Sequence, residues 1–242
     1  MNSFLDGMKK SIPICIGYFV VSFTFGIYCK TIGIGPVTSV IISLTNLSSA
    51  GQFGGVEIIA RNASLIELAL VVLVINLRYV LMSISLSQHL DKNVRLIDKM
   101  IFSFAITDEI YALAIKEKKR IDAKFMFGMM ILPIMGWTLG TLVGALASNV
   151  MNERLVNAFS IALYAMFISA ICPDMVKSFK ICIVIVLSII ISCILFYVPF
   201  FYENISFGFR IIITTILVCT FAALIFPIEE TKSEDREDEP CI

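Results

Sequence analysis

Apolar runs of about 20 residues, nearly free of charge, recur along this chain, and that is the length a helix needs to cross a bilayer core. They occupy roughly 12–33, 36–60, 65–88, 99–115, 125–149, 156–172, 180–200 and 207–227. Such a chain is expected to fold as an all-α, polytopic membrane bundle of about seven or eight transmembrane helices, with residues 1–228 embedded in the lipid bilayer. Composition agrees, with 58% of residues hydrophobic and 16% charged, where a soluble domain is about a quarter charged. The runs are continuous rather than alternating, which excludes an outer-membrane barrel.

Charge is segregated. The segment "EETKSEDREDE", 229–239, carries seven acids and two bases. It offers nothing apolar to bury, so 229–242 is expected to be an acidic, disordered tail. Lys and Arg mark cytoplasmic loops. "KEKKRIDAK" (116–124) is the strongest basic loop, and Lys9 and Lys10 precede the first run. Four crossings between them put both in the cytoplasm, with the C-terminus there too. The loop "DKNVRLIDK" (91–99) then falls outside despite its three bases. The first run is too long for a signal peptide and lacks a small-residue cleavage site. "IPICIG" (12–17) and "LPIMG" (132–136) raise an internal repeat, a common feature of secondary transporters.

Within these runs some polar groups need an explanation. "TNLSSAGQFGGVEIIARN" (45–62) holds Gly51, Gly54, Gly55, Gln52, Ser48 and Ser49. Each glycine weakens a helix by about 1 kcal/mol relative to alanine, and freed backbone groups cannot face lipid. A broken or re-entrant second segment lining a binding site is one reading; close helix packing through small residues is the other. Arg78 stands near the middle of the third run, where an unpartnered arginine costs about 2.5–3.5 kcal/mol. At helical spacing, Arg78, Met82, Ser85 and His89 share one stripe, and Asn76, Ser83 and Ser87 another, nearly opposite. The helix is therefore expected either to be surrounded by protein or to unwind near Asn76. Asp108 and Glu109 are adjacent acids in the fourth run. They point about 100° apart, so one can pair with Arg78 while the other carries a proton, as in a proton-coupled carrier. A wet helix end is the alternative for this pair. Gly136, Gly140 and Gly144 recur every four residues and predict a close-approach face for another helix. Trp137 and His89 read as ordinary interior and interfacial residues.

Signals for other functions are missing. The sequence contains no HExxH, no GxSxG and no phosphate-binding GxxxxGK[ST]. Its seven cysteines include no CxxC pair. No enzymatic activity, cofactor, metal site or nucleic-acid partner is expected.

The polar stretches together resemble the AzlC family, the large subunit of bacterial branched-chain amino acid exporters. The resemblance runs through "IPICIGYFVVSFTFG" (12–26), "SAGQF" (49–53), "NLRYVLMSISL" (76–86) and "TDE" (107–109), in the family's order. Farther on, "GWTLGTLVGALAS" and "ALYAMFISAICP" are family-like, although Ser160 and Tyr164 stand where members usually carry aspartate and proline. The resemblance implies residence in the bacterial cytoplasmic membrane and export of leucine, isoleucine, valine or similar amino acids. It also implies a small AzlD-type membrane partner. Joined to the residues, it suggests roles. Ser49, Gly51, Gln52, Asn76 and Arg78 would form a substrate site, with Phe53 and Met82 for the apolar side chain. Asp108 and Glu109 would serve proton coupling or the substrate ammonium. A passive pore with Arg78 as its selectivity element, and a non-transporting subunit that stabilises a partner, remain the alternatives.

Overall fold

A computed structural model describes residues 3–226 except 118, 119, 149 and several positions between 153 and 177. The expected acidic tail (229–242), the positions of Ser160 and Tyr164, and much of the expected span 156–172 lie outside the described residues. The chain divides into two units, Met1–Ile171 and Cys172–Ile242. The first holds α1 (Ser3–Thr31), α2 (Pro36–Thr45), α3 (Ser49–Ala60), α4 (Leu65–His89), α5 (Leu96–Ala105), α6 (Asp108–Ile115) and α7 (Ala123–Ala147). The second holds α8 (Phe179–Tyr197), α9 (Pro199–Asn204) and α10 (Phe207–Ile225). Five of these helices, α1, α4, α7, α8 and α10, are long and apolar enough to cross a membrane.

In the first unit α1 and α7 run parallel and in close contact. The four-residue glycine ridge of α7 meets successive turns of α1: Gly128 against Phe4, Gly136 against Cys15, Gly140 against Phe19 and Gly144 against Phe23. A Cβ at Gly128, Gly140 or Gly144 would fall on a main-chain carbonyl oxygen of α1, and so would one at Gly136. The predicted close-approach face is thus real, and it extends two four-residue steps further, past Leu132 to Gly128. Without a hydrophobic drive between helices in lipid, such backbone-to-backbone packing is what holds a pair together. Pro13 and Pro133, the prolines of the two matching sequence stretches, each lie ten residues beyond the start of their helix, Ser3 and Ala123.

The two remaining segments are not single spans. The expected span 36–60 is α2 and α3, separated at 46–48. The break falls just before the stretch 49–55 rather than within it. Ser48 caps α3, its Oγ accepting from Gly51 N at 3.1 Å, so the glycines lie inside a helix. They admit α4: a Cβ at Gly51, Gly54 or Gly55 would crowd Asn76, Ile75 or Leu68. Packing through small residues explains these glycines. The expected span 99–115 is likewise α5 and α6, separated at Ile106 and Thr107. Thr107 caps α6, accepting from Ile110 N at 3.4 Å. With 10, 12, 10 and 8 residues, each of these four helices is shorter than the about 20 residues a crossing needs.

The contacts fix where each pair begins and ends. Tyr28, near the C-terminal end of α1, donates to Glu57 near the end of α3, and Ile34 and Ile42 on the way into α2 pack with Cys29 and Phe25 of α1. The α2–α3 pair therefore leaves and returns to the C-terminal end of α1. At the other end, Asp91 N donates to Ile121 O at 2.8 Å before α5, and Lys10 pairs with Glu117 at 2.5 Å after α6. The α5–α6 pair leaves and returns to the N-terminal end of α1. This corrects the expected placement of loop 91–99 opposite loop 116–124: both lie at one end, because 96–115 turns back at Thr107. The order long helix, two short helices thus occurs twice, in opposite directions, as α1–α3 and α4–α6.

The helix α4 is continuous from Leu65 to His89, and only 11% of its most apolar 18-residue window is buried. The expected unwinding near Asn76 does not occur, and within the unit the helix is not surrounded. Leu73, Val80, Leu81 and Ile84 point outward, leaving one side for the interior. In the second unit, α8 and α10 form an antiparallel hairpin. Lys180 lies over the ring of Phe226 at one end, and Phe196 packs on Phe207 at the other.

Substitution at the α1–α7 seam should be destructive. Gly144→Val is expected to abolish recovery of monodisperse protein in detergent. Gly35→Ala, where a Cβ meets nothing within 4 Å, should leave yield and melting temperature unchanged.

Candidate functional site

Between the two breaks lies a cavity of about 600 Å³. Leu47, Ser49 and Ala50 reach it from the α2–α3 break, and Thr107, Asp108 and Glu109 from the α5–α6 break. Arg78 and Tyr79 of α4 close one side, and Tyr18 of α1 and Trp137 of α7 form the floor. Pro13, Ile14, Gly17 and Val21 complete an apolar wall. Two helices thus begin at this cavity. First-turn N–H groups lack partners within their own helix, and helix N-termini carry positive partial charge.

The charged groups are sorted within it. Arg78 Nη1 pairs with Asp108 Oδ2 at 2.9 Å. Its Nη2 donates to Tyr79 Oη at 3.2 Å, and Tyr79 Oη donates to Ser48 Oγ at 3.3 Å. A chain of hydrogen bonds thereby ties the arginine to the cap of α3. Glu109 takes a different partner: Tyr18 Oη lies 2.6 Å from its Oε2 and also bonds Thr107 Oγ1. The Arg78 and Asp108 side chains are 44% and 41% exposed. An ion pair that wet contributes about 0–1 kcal/mol, so a ligand can open it at little expense.

Beneath the floor the polar groups are dry and structural. Gln52 is 1% exposed. Its Oε1 accepts from Trp137 Nε1 at 3.2 Å and from Ser43 Oγ at 3.4 Å. Ser43 Oγ lies 2.7 Å from Thr141 Oγ1. This network joins α2, α3 and α7 at the level of the first break. Gln52 Nε2 and Asn76 Oδ1 are buried without a hydrogen-bond partner.

The nine residues singled out from sequence separate accordingly. Ser49, Arg78, Asp108 and Glu109 share the cavity. Gly51 and Gln52 border a second hollow of about 350 Å³ between α2, α3 and α4. Phe53 packs edge-on against Phe25 at 4.9 Å, Met82 packs on the core around Trp137, and Asn76 faces Gly51; none of these three lines either space. Sequence reasoning missed Tyr18, Tyr79 and Trp137. Tyr79 was legible as the neighbour of an intramembrane arginine; nothing local marks Tyr18.

The fold and the site define a polytopic helical membrane protein with a mixed-charge cavity between two interrupted helical segments. The model of the AzlC family, described as "AzlC protein", matches residues 13–151, and the chain belongs to that family. It is 27% identical over 188 residues to "Inner membrane protein YgaZ" of Escherichia coli, covering 75% of this chain and 77% of that protein. An "Uncharacterized membrane protein" of Archaeoglobus fulgidus is 26% identical over 174 residues, with 71% and 76% covered. One of Helicobacter pylori J99 is 27% identical over 152 residues, with 62% and 66% covered. No solved structure matches the chain.

The two polar systems should respond differently to substitution. Arg78→Gln is expected to leave the melting temperature in detergent within about 2 °C, as for other wet ion pairs. Trp137→Phe removes a buried donor from Gln52 and should destabilise by about 1–3 kcal/mol. Equal losses would make the ion pair structural.

Proposed function

We propose that this chain is a secondary transporter that exports branched-chain or similar small apolar amino acids, coupled to protons, together with a small AzlD-type membrane subunit. The observation that carries the reading is the cavity, in which an arginine, two carboxylates, two helix N-termini and an apolar wall converge. A zwitterionic amino acid carries the complementary groups. Its carboxylate suits Arg78 and the first-turn amides at Ser49 and Ala50, and its ammonium suits Asp108 or Glu109. Its side chain suits Ile14, Val21 and Leu47. A subunit that only stabilises a partner would need no polar cavity here. Family membership supports the same substrate class, through the export activity that the resemblance implies.

In this reading the pairs α2–α3 and α5–α6 are half-crossing hairpins that enter from opposite membrane faces and meet at the cavity. Broken helices at the midplane recur in transporters because they present bare peptide groups to a substrate. Irregular backbone is tolerated at that depth only against protein or water. Lys9, Lys10, Lys92, Arg95, Lys99, Lys116, Arg120 and Lys124 then belong to one face, the cytoplasmic one. The Arg78–Asp108 pair is the gate. Substrate binding replaces it, and protonation of Asp108 or Glu109 frees the ammonium on the other side.

Counterflow of labelled leucine in liposomes, with and without the small subunit, tests the substrate. Exchange of no apolar amino acid in either preparation sinks the proposal. Arg78→Gln is expected to slow exchange at least tenfold at unchanged protein level. Asp108→Asn and Glu109→Gln should alter its pH profile, and wild-type profiles in both would remove them from coupling. For topology, single cysteines at 93 and 120 in a cysteine-free background should label from the cytoplasmic side and one at 62 from the other. Labelling of 93 from outside would restore a full crossing between 96 and 115.

A further inference from the structure

The second unit contains a charged group that the proposed transport cycle does not use. Arg210, the fourth residue of α10, is 7% exposed. Its Nε and Nη1 are buried without a hydrogen-bond partner. Among the described residues no carboxylate pairs with it. Three rings surround the guanidinium, with Phe196 at 4.8 Å, Tyr202 at 4.9 Å and Phe207 at 6.0 Å from ring centroid to Cζ. Ring faces stabilise a cation but do not satisfy its N–H donors, and a guanidinium cannot shed its proton to escape burial. A buried arginine left this way calls for an anion.

The space for one is present. Arg210 borders a cavity of about 330 Å³ whose walls include the hydroxyl-bearing Ser188, Ser192, Thr214 and Thr215. Thr214 and Thr215 hydroxyls donate back to Arg210 O and Ile211 O, so their oxygens keep acceptor capacity and their donors are spoken for. Among the described residues the Ser188 and Ser192 hydroxyls make no such bond back to their own helix, so they can donate to an anion. The N-terminal end of α10 adds positive partial charge at the same height.

The surroundings point to the source of the anion. Arg210 stands at the end of the cavity toward the turn of the α8–α10 hairpin, under the ring of Tyr202, and Tyr197, Phe200 and Tyr202 of that turn are 80%, 69% and 52% exposed. Aromatic side chains of that kind collect at the level of lipid headgroups. Below it the outer positions of both helices are apolar and exposed, among them Ile189 and Ile216, which suits acyl chains. We propose that the Arg210 cavity is a binding site for the phosphate of an acidic phospholipid headgroup.

The test uses the full chain, purified in detergent and transferred to nanodiscs of phosphatidylglycerol or phosphatidylcholine. Native mass spectrometry is expected to find phosphatidylglycerol retained on the wild type in preference to phosphatidylcholine. The melting temperature should be at least 4 °C higher in the acidic lipid. Arg210→Gln should abolish both differences, and Arg210→Lys should retain part of them. Should Arg210→Gln fail to fold, Ser188→Val with Ser192→Val, which leaves the cation in place, should reduce retention at least threefold. Equal retention of the two lipids by the wild type overturns the proposal. So does full protection by inorganic phosphate in detergent alone, which would make the ligand a free ion. Protection that requires the small membrane subunit and ignores lipid charge overturns it too, and assigns the cavity to a partner's carboxylate.

Discussion

Everything in the first unit hangs on the contact between α1 and α7. Two parallel helices can approach this closely only where one of them has no side chains, and the ridge Gly128, Gly136, Gly140 and Gly144 supplies that absence. The contact places Tyr18 beside Trp137, with ring centroids 5.0 Å apart. These two residues are the surface on which both helix breaks rest: Trp137 reaches Gln52 behind the first, and Tyr18 reaches Thr107 and Glu109 at the second. The seam is thus the fixed part against which the two broken segments and α4 are arranged.

The opposite direction of the two broken segments has an electrostatic consequence. Each presents the N-terminus of its second helix to the same cavity, so two positive ends face one space. At α6 the acids Asp108 and Glu109 stand in the first turn and offset that charge. At α3 the first turn carries no acid, and Arg78 is tied to its cap through Tyr79 and Ser48. The cavity therefore has a cationic side and an anionic side although its net charge is small.

Wet and dry polar groups also divide the labour. Gln52 Oε1, Ser43, Thr141 and Trp137 bond one another below the cavity, and a buried network of this sort holds elements in register. Arg78 and Asp108 meet in the open part of the cavity, both partly exposed. Gln52, which sits among glycines in an apolar run, fastens the first break to α7 through Trp137.

The class of the fold, the apolar helices and the family were legible in the sequence, because a continuous apolar run of about 20 residues is a local signal of a membrane helix. So was the glycine ridge, since a four-residue period is a property of one helix. Ser48 and Thr107 each precede a helix start, and Thr107 is followed by two acids, the usual signature of an N-terminus, yet both lie inside stretches that apolar length alone reads as single spans. What sequence alone left open was whether a 20-residue apolar stretch crosses the membrane or turns back halfway, since both look alike in composition. Contacts far apart in the chain bring the two ends of each broken segment together: Asp91 with Ile121, Lys10 with Glu117, and Tyr28 with Glu57. The same contacts decided which polar residues share a cavity. A side chain's neighbours across helices depend on crossing and register, which no local pattern of residues encodes.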